Sequence, residues 1–317
     1  MKILVLGGSY FYGRVFTMLA SKEHELTLLN RGTYSMAEYG VSQITGDRRD
    51  EKSLGLLQKC GTAFDVVVDF CAYEAGDISR ILEHLPGKVS QYIMISTVDV
   101  YRRGIEGLKD EETPYENRSL PGEAGAYIAG KVSLERELIE SCRRQNIAYT
   151  ILRPAILYGP YNYAPRESVY IRLAVQSHLL PEITDATGKF QFTYVKDAAE
   201  AICRCLMNDK TYGQAYNLCG DEILDYQTFA DGLARAAEEN APVQETSDPD
   251  RGQRILQRCP CTAEQAKEQG IPLPFPVYQE ETELYDNGKS RRELGISYTT
   301  FAEGMGKTYR AFEGVFG

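Results

Sequence analysis

Histidine is scarce in this 317-residue sequence, long apolar runs are missing, and acidic residues outnumber basic ones. The three histidines, His24, His84 and His178, are far apart, which argues against a histidine metal cluster. No apolar run approaches the roughly 20 residues that a membrane helix needs, and the first residues read as a strand rather than a leader. We therefore expect a cytoplasmic protein with no membrane partner. The net charge of −10 would repel phosphates, so we expect no nucleic-acid partner.

The eight cysteines lack the spacing of a structural metal site. The closest pairs, Cys203 with Cys205 and Cys259 with Cys261, are separated by one residue, unlike the cysteine pairs of zinc sites. We expect reduced thiols, as in cytosolic proteins, and no metal site.

Short apolar runs alternate with helical stretches through the first half of the chain. Strands are predicted at Lys2–Leu6, Glu25–Asn30, Asp65–Asp69, Gln91–Ser96 and Tyr149–Arg153. Such runs suit strands buried on both faces, and their alternation with helices predicts an α/β fold with a doubly wound parallel sheet. We predict a Rossmann-type domain over residues 1–158, completed by elements around 190–220. A smaller C-terminal substrate domain over 159–317 is interleaved with it.

A glycine-rich segment, GGSYFYG, joins the first predicted strand to the first helix. Glycines in this context let the backbone approach a pyrophosphate, which the N-terminus of the helix can bind. The alternative is a plain tight turn. The cofactor-binding residues predicted from this segment are Gly7, Gly8, Ser9, Tyr10, Phe11, Tyr12 and Gly13.

The end of the second predicted strand carries Asn30 and Arg31, where an acidic residue would bind a ribose 2′-hydroxyl. Asparagine removes the charge that would repel a 2′-phosphate, and arginine supplies a cation for it. This favours NADP over NAD, although Arg31 could equally be a solvated turn residue.

Tyr127 and Lys131 are one helical turn apart, so the ammonium can lie near the phenol and favour its role in proton transfer. Such a pair is common by chance and is usually solvated. Ser96 and Thr97 follow a strand and are expected at the carboxyl edge of the sheet, where such folds bind ligands. Both signals indicate the same crevice.

Taken together, several segments resemble the short-chain dehydrogenase/reductase superfamily, in its extended or atypical epimerase/dehydratase branch. The similar segments are the loop GGSYFYG, the adenine-contacting TGDRRD, FCAY beside the nicotinamide ribose, ISTVDVY, YIAGK, LRPAILYGP, FTYVKDAAEAI and DNGKSRRELG. The resemblance covers nearly the whole chain and implies a site for NAD or NADP. Tyr10 takes the family's middle glycine position, where it either lies near the adenosine 2′ side or packs beneath the loop.

The resemblance also implies roles for individual residues. Thr97 would hydrogen-bond the substrate oxygen, Tyr127 would transfer its proton, and Lys131 would hold the nicotinamide ribose and lower the pKa of Tyr127. Asp47 would contact the adenine amino group. Further cofactor contacts are implied for Arg48, Phe70, Cys71, Ala72, Ser96, Arg153, Pro154 and Ile156. A structural role is the alternative for Ser96.

The implied activity is that of an NAD(P)-dependent oxidoreductase or epimerase acting on a carbonyl or secondary alcohol of a small molecule, a nucleotide sugar or related sugar. Val98 and Asp99 replace the Asp-Glu pair of the dehydratases, which argues against a 4,6-dehydratase. Two further departures weaken a nucleotide-sugar substrate. Phe190 replaces an arginine that pairs with pyrophosphate, and the segment PLPFPVYQEE lacks the family's second arginine. Candidates to compensate are Arg153, Arg166, Lys189 and Arg254. The alternative is an atypical member that senses a cofactor or associates with RNA without turnover.

Members of this family often form dimers through the helix that carries the tyrosine–lysine pair. The helix predicted at residues 126–142 could offer its apolar side chains to a homodimer, or they could pack inward. These side chains are Val132, Leu134, Leu138 and Ile139.

Overall fold

Two units of the chain are resolved by the computed structural model, which describes residues 1–162, 164–240 and 256–316. The first unit comprises Met1–Ala155, Val195–Cys219 and Tyr285–Ser297, and the second comprises Ile156–Tyr194, Gly220–Leu284 and Tyr298–Gly317. Segments from three separate parts of the chain therefore build each unit.

The strands are β1 (Lys2–Leu6), β2 (Glu25–Asn30), β3 (Ser42–Thr45), β4 (Val66–Asp69), β5 (Gln91–Ile95), β6 (Leu108–Lys109), β7 (Ala148–Pro154), β8 (Ile156–Tyr158), β9 (Leu179–Ile183), β10 (Phe192–Tyr194), β11 (Gln214–Leu218), β12 (Gln257–Cys261) and β13 (Leu284–Tyr285). The helices are α1 (Phe11–Ala20), α2 (Glu51–Lys59), α3 (Asp77–Glu83), α4 (Gly122–Gln145), α5 (Glu167–Ser177), α6 (Val195–Cys205), α7 (Tyr226–Asn240), α8 (Ala263–Glu268), α9 (Gly288–Leu294) and α10 (Phe301–Phe316).

The first unit is built on a seven-stranded sheet with the order β11-β7-β5-β4-β1-β2-β3. All its neighbouring strands are parallel; Ile3 of β1, for example, pairs with Leu26 of β2 and with Val66 of β4. The order of the strands reverses between β1 and β4, and open sheets of this kind bind ligands at that point. The predicted Rossmann-type α/β fold is confirmed.

Strand β3 was not among the predicted strands. Its sequence, Ser-Gln-Ile-Thr, is polar, and the strand is partly exposed at the edge of the sheet. An edge strand buries little apolar surface, so it leaves a weak hydrophobic pattern.

The apolar side chains of α4 lie mostly inside the first unit. Val132, Leu134 and Leu138 are buried, and Leu134 and Leu138 pack with Leu4 and Tyr92 of the sheet. The interpretation of these three side chains as a dimer surface is therefore corrected, because they already stabilise the chain's own core. A homodimer stays a prediction without their support.

An aromatic core fills the second unit. Phe192 packs on Phe301 with ring centroids 5.5 Å apart, and on Phe190 at 5.4 Å. Phe190, at the position where an arginine was considered, is thus a core residue. Helices α5, α7 and α10 and the pair β9–β12 surround this core.

Two absences concern only the described residues. Within them, no helix combines the length and apolar character required to cross a membrane. Likewise, that part of the chain brings no three histidine, cysteine, aspartate or glutamate side chains together as metal ligands.

Candidate active site

Two positions of the glycine-rich loop have no room for the Cβ of any other residue. Gly8 has φ +79°, and a Cβ there would lie 2.7 Å from Cγ1 of Val5. A Cβ on Gly13 would lie 2.8 Å from the Cα of Gly8. Thr17 of α1 donates a hydrogen bond of 2.7 Å to the Gly8 carbonyl. Helix α1 is therefore packed directly against the loop, with no side-chain cap at its N-terminus.

The two tyrosines of the loop have opposite environments. Tyr12 is buried; its hydroxyl donates to the carbonyl of Ala198, and its ring meets the edge of Phe70 at 5.1 Å. Tyr10 is 43% exposed and stacks on Tyr34 at 5.7 Å. The exposure of Tyr10 contradicts the alternative in which it packs beneath the loop, and Tyr12 is the buried tyrosine of this segment.

A cavity of about 650 Å³ lies beside this loop in the first unit. Its lining includes ten of the predicted cofactor-binding residues, Gly7, Gly8, Ser9, Tyr10, Asn30, Arg31, Asp47, Arg48, Phe70 and Cys71. Sequence reasoning missed the other six, Leu29, Thr33, Tyr34, Gly46, Arg49 and Tyr73. Gly46, Arg49 and Tyr73 stand within the quoted segments TGDRRD and FCAY, which was the available signal for them.

Asn30 joins the glycine-rich loop to the end of β2. Its Nδ2 donates to the carbonyl of Gly7 at 3.0 Å, and its Oδ1 accepts from Gly32 N and from Gln43 Nε2, both at 2.8 Å. Arg31 is exposed and forms no ion pair with a carboxylate of the described residues. Among the described residues, Arg31 is therefore a cation of the cavity lining that no carboxylate neutralises.

Two further arginines of the cavity lining, Arg48 and Arg49, are bound to buried carboxylates. Arg48 donates to both carboxylate oxygens of Asp69, at 2.7 and 2.9 Å, and Tyr92 donates to Asp69 at 2.5 Å. Arg49 makes two hydrogen bonds of 2.9 Å to Asp77. Burial alone would raise the pKa of Asp77, but hydrogen bonds from Arg49 and from backbone N–H groups lower it to about 2. Because the guanidinium of Arg48 is committed to Asp69, its cofactor contact stays a prediction.

Asp47 is exposed and lies at the same edge of the sheet. Its carboxylate accepts a hydrogen bond of 2.9 Å from the backbone N–H of Arg49. This contact orders the turn that leads into α2, and the adenine contact stays a prediction.

Lys131 and Tyr127 are both on α4, at the carboxyl ends of β4 and β5. Lys131 is only 4% exposed, and its Nζ donates to the carbonyls of Ala72 (2.9 Å) and Ile95 (3.2 Å). The ring of Tyr127, 42% exposed, is centred 6.0 Å from that ammonium. Burial lowers the pKa of Lys131, against the attraction of Asp69.

Ser96 and Thr97 make different contacts although they are adjacent. Ser96 donates to Glu135 at 2.5 Å, which is a structural contact with α4. Thr97 donates to Asp99 Oδ2 at 3.0 Å, and its oxygen accepts from the N–H of Asp99. The structure thus brings Thr97, Tyr127 and Lys131 to the same edge of the sheet, because Lys131 binds the carbonyl two residues before Thr97.

Arg153 is enclosed by α4 and the loop after β5. It is 3% exposed, makes hydrogen bonds of 3.0 and 2.6 Å to Glu135, and donates to the hydroxyl of Tyr101 at 2.8 Å. These contacts use its charge inside the protein, so a part in binding phosphate is not supported. Glu135 was missed, although it follows Lys131 by one helical turn.

The remaining predicted residues lie outside the cavity lining. Phe11 begins α1 with φ 40°, and Pro154 ends β7. Ala72 contributes its carbonyl to Lys131, and Ile156 belongs to the second unit. Lys189 is exposed and Arg166 half-buried in that unit, whereas Arg254 lies outside the described residues. Their functional roles stay predictions.

Residues 3–219 match the model of the NAD dependent epimerase/dehydratase family. The chain belongs to this family. The match covers the whole glycine-rich loop, the cavity lining and the tyrosine–lysine pair, and it confirms the resemblance that the motifs indicated. The fold and the family agree in placing this chain among the extended short-chain dehydrogenases and reductases.

Individual family members and solved structures extend the comparison. The chain is 31% identical over 254 residues to chloroplast stem-loop binding protein of 41 kDa b from Arabidopsis thaliana. That alignment covers 74% of this chain but 62% of the plant protein. The fold of this chain is similar to that of UDP-glucose 4-epimerase from Thermotoga maritima, crystallised with UDP-glucose (TM-score 0.74, 17% identity, all of both chains covered). It is also similar to UDP-glucuronic acid 4-epimerase from Bacillus cereus in complex with UDP-glucuronic acid and NAD (TM-score 0.70, 19% identity, 99% and 100% covered).

Proposed function

We propose that this protein is an NAD(P)-dependent oxidoreductase or epimerase acting on a carbonyl or secondary alcohol of a sugar. The observation that carries the proposal is the placement of Lys131, Tyr127 and Thr97 at the edge of the sheet that also forms the cavity. Ligands of open parallel sheets bind at that edge, so a dinucleotide in the cavity would lie beside these three side chains. The small molecule would approach Tyr127, whose ring is partly exposed.

The chain's own groups suit the expected cofactor. The close packing of Gly8 and Gly13 leaves a bare backbone at the N-terminus of α1, where a pyrophosphate can be held. The nicotinamide would supply the acceptor or donor of a hydride. Tyr127 would take or return the proton of the substrate oxygen, Lys131 would keep a positive charge close to that phenol, and Thr97 would orient the oxygen.

The proposal includes a preference for NADP. Arg31 lines the cavity and forms no salt bridge with the described residues, and the neutral Asn30 does not repel a 2′-phosphate. The Bacillus cereus epimerase binds NAD, so this preference is a specific difference to test. We expect Arg31→Ala to weaken NADPH binding about 10-fold and NADH binding much less, since a charge-assisted hydrogen bond is lost. Arg143→Ala, at an exposed position of α4, is the control.

The substrate class is proposed from the similar epimerases, which were crystallised with nucleotide sugars. Two contacts limit this part of the proposal. Phe190 lies in an aromatic core, and Arg153 is bound to Glu135, so neither can neutralise a substrate phosphate. A related sugar without a pyrophosphate is therefore included.

The first test is to denature the purified protein and to identify any released nucleotide by mass spectrometry. If no nucleotide is released, the binding of NADPH and NADH to the empty protein is compared. Tighter binding of NADPH would support an enzyme with exchanging cofactor. Stoichiometric NAD would contradict the NADP preference and support an epimerase that regenerates its own cofactor. Binding of neither dinucleotide would contradict the proposal.

A second candidate is a nucleic-acid binding protein. The observation in its favour is the name of the Arabidopsis relative, a stem-loop binding protein, of which the chain spans 62%. The net charge of −10 opposes it. An electrophoretic shift with a stem-loop RNA at physiological salt tests it, and we expect no shift at micromolar protein.

A further inference from the structure

The ammonium of Lys131 has one neighbour that the proposed chemistry does not use. Two of its three N–H donors are occupied by the carbonyls of Ala72 and Ile95. The ring of Tyr73 is centred 4.9 Å from Nζ, nearer than the ring of Tyr127 at 6.0 Å. A cation at this distance is attracted by the electron-rich face of an aromatic ring.

Tyr73 is placed firmly although its side chain is 56% exposed. Its backbone N–H donates to Asp77 at 3.0 Å, and Asp77 is buried and bound by Arg49. Helix α4 also comes close to this segment, since a Cβ on Gly130 would lie 3.4 Å from the Tyr73 carbonyl. The buried charges therefore fix the backbone that presents the ring to Lys131.

Tyr73 and Lys131 differ in their exposure to the cavity. Tyr73 lines the cavity, whereas Lys131 does not, and Lys131 is almost completely buried. A buried ammonium loses its hydration and needs compensating contacts. Two carbonyls and the face of Tyr73 provide them on this side.

We propose that Tyr73 is a positioning residue for Lys131: the face of its ring holds the ammonium between Tyr73 and Tyr127. Its importance for turnover rests on the proposed function, whereas its contact with Lys131 can be tested without turnover. Because the π face stabilises the charged form, its removal would add to the effect of burial, which already lowers the pKa of Lys131.

The test is competitive acetylation with acetic anhydride, followed by mass spectrometry of the peptide that contains Lys131. The exposed Lys22 is the internal reference. Tyr73→Leu removes the π face, and Tyr73→Phe keeps it. Only a neutral, accessible amine reacts, so Tyr73→Leu should increase the rate at Lys131, relative to Lys22, by about threefold to tenfold. Tyr73→Phe should stay within about twofold of the wild type.

Two controls keep this result specific. Tyr34→Leu removes another exposed tyrosine of the cavity and should leave the acetylation of Lys131 unchanged. Circular dichroism checks that each variant is folded, and Tyr73→Met replaces Tyr73→Leu if the latter is not. An unchanged rate in the aliphatic variant would overturn the proposal. A Tyr73→Phe protein that reacts like the aliphatic variant would also overturn it, because the hydroxyl rather than the ring face would then matter.

Adding NADP⁺ to the wild type separates this proposal from the proposed function. If Lys131 holds the nicotinamide ribose, NADP⁺ should slow its acetylation. Failure of NADP⁺ to protect Lys131 would contradict the proposed cofactor contact, while the comparison of the leucine and phenylalanine variants would still decide the role of Tyr73.

Discussion

Removing the charge of Arg153 should destabilise this protein more than a surface substitution can. Its partner Glu135 is buried and would keep the hydroxyl donors of Ser96 (2.5 Å) and Tyr115 (2.7 Å) but lose the guanidinium that now lies 2.6 Å away. Breaking a buried ion pair on one side costs about 3–5 kcal/mol. That is a large part of the stability of a typical domain, about 5–15 kcal/mol.

The assay is urea unfolding of Arg153→Met followed by far-ultraviolet circular dichroism. A double variant, Glu135→Gln with Arg153→Met, removes both charges of this pair, and the glutamine can still accept from Ser96 or Tyr115. We expect its loss of unfolding free energy to be at least about 2 kcal/mol smaller than the sum of the two single losses. The control is Arg144→Met, an exposed arginine 4.0 Å from Glu140, with an expected change within about 0.5 kcal/mol.

Additive losses in the double variant would refute the reasoning, because the pair would then not act as a unit. A loss below about 1 kcal/mol for Arg153→Met would refute it as well. If the pair is as tight as the distances indicate, Arg153→Met should also impair activity, since Glu135 ties the helix of Lys131 to the strand end beside Thr97.

Two further predictions concern other parts of the chain. Gly8→Ala should weaken dinucleotide binding strongly and destabilise the loop, since its Cβ would lie 2.7 Å from Val5 at φ +79°. The control is Gly55→Ala, in α2 with open space around it, which should leave the stability unchanged or raise it by about 0.4–1 kcal/mol. Equal effects of the two substitutions in thermal melts and dinucleotide titrations would contradict this account. Burial raises the pKa of Glu167 to about 7 against the hydrogen bonds of Asn162, so the folded protein holds this proton to higher pH than the unfolded chain. The free energy of unfolding should therefore fall between about pH 4.5 and 7, by up to about 3 kcal/mol. Glu167→Gln should flatten this pH dependence in urea titrations at several pH values. An unchanged slope of the unfolding free energy against pH would contradict the assignment.

The glycine-rich loop and the strand alternation were predictable because they are local patterns with a direct physical meaning. Glycines 8 and 13 serve the close packing of α1 against β1, and the buried strands read as nearly continuous apolar runs. The Tyr127–Lys131 pair followed from helical spacing alone.

Other features depended on partners that are distant in the sequence. Glu135 and Arg153 meet through the packing of α4 on β7, and no local pattern announces that contact. The assignments of Tyr10 and Tyr12 required the position of α6, which accepts the hydroxyl of Tyr12. Strand β3 was missed because a polar edge strand lacks the apolar run on which the prediction relied.

The most direct test of the central claim compares the wild type with Tyr127→Phe under turnover. Each protein, loaded with NADP⁺ or NAD⁺, is mixed with a panel of nucleotide sugars and free sugars, and the absorbance of reduced nicotinamide and the sugar products are recorded. The account predicts that at least one sugar is oxidised or epimerised by the wild type, and that Tyr127→Phe binds the same dinucleotide with at most residual turnover. Equal turnover by both proteins, or no binding of either dinucleotide, would contradict it.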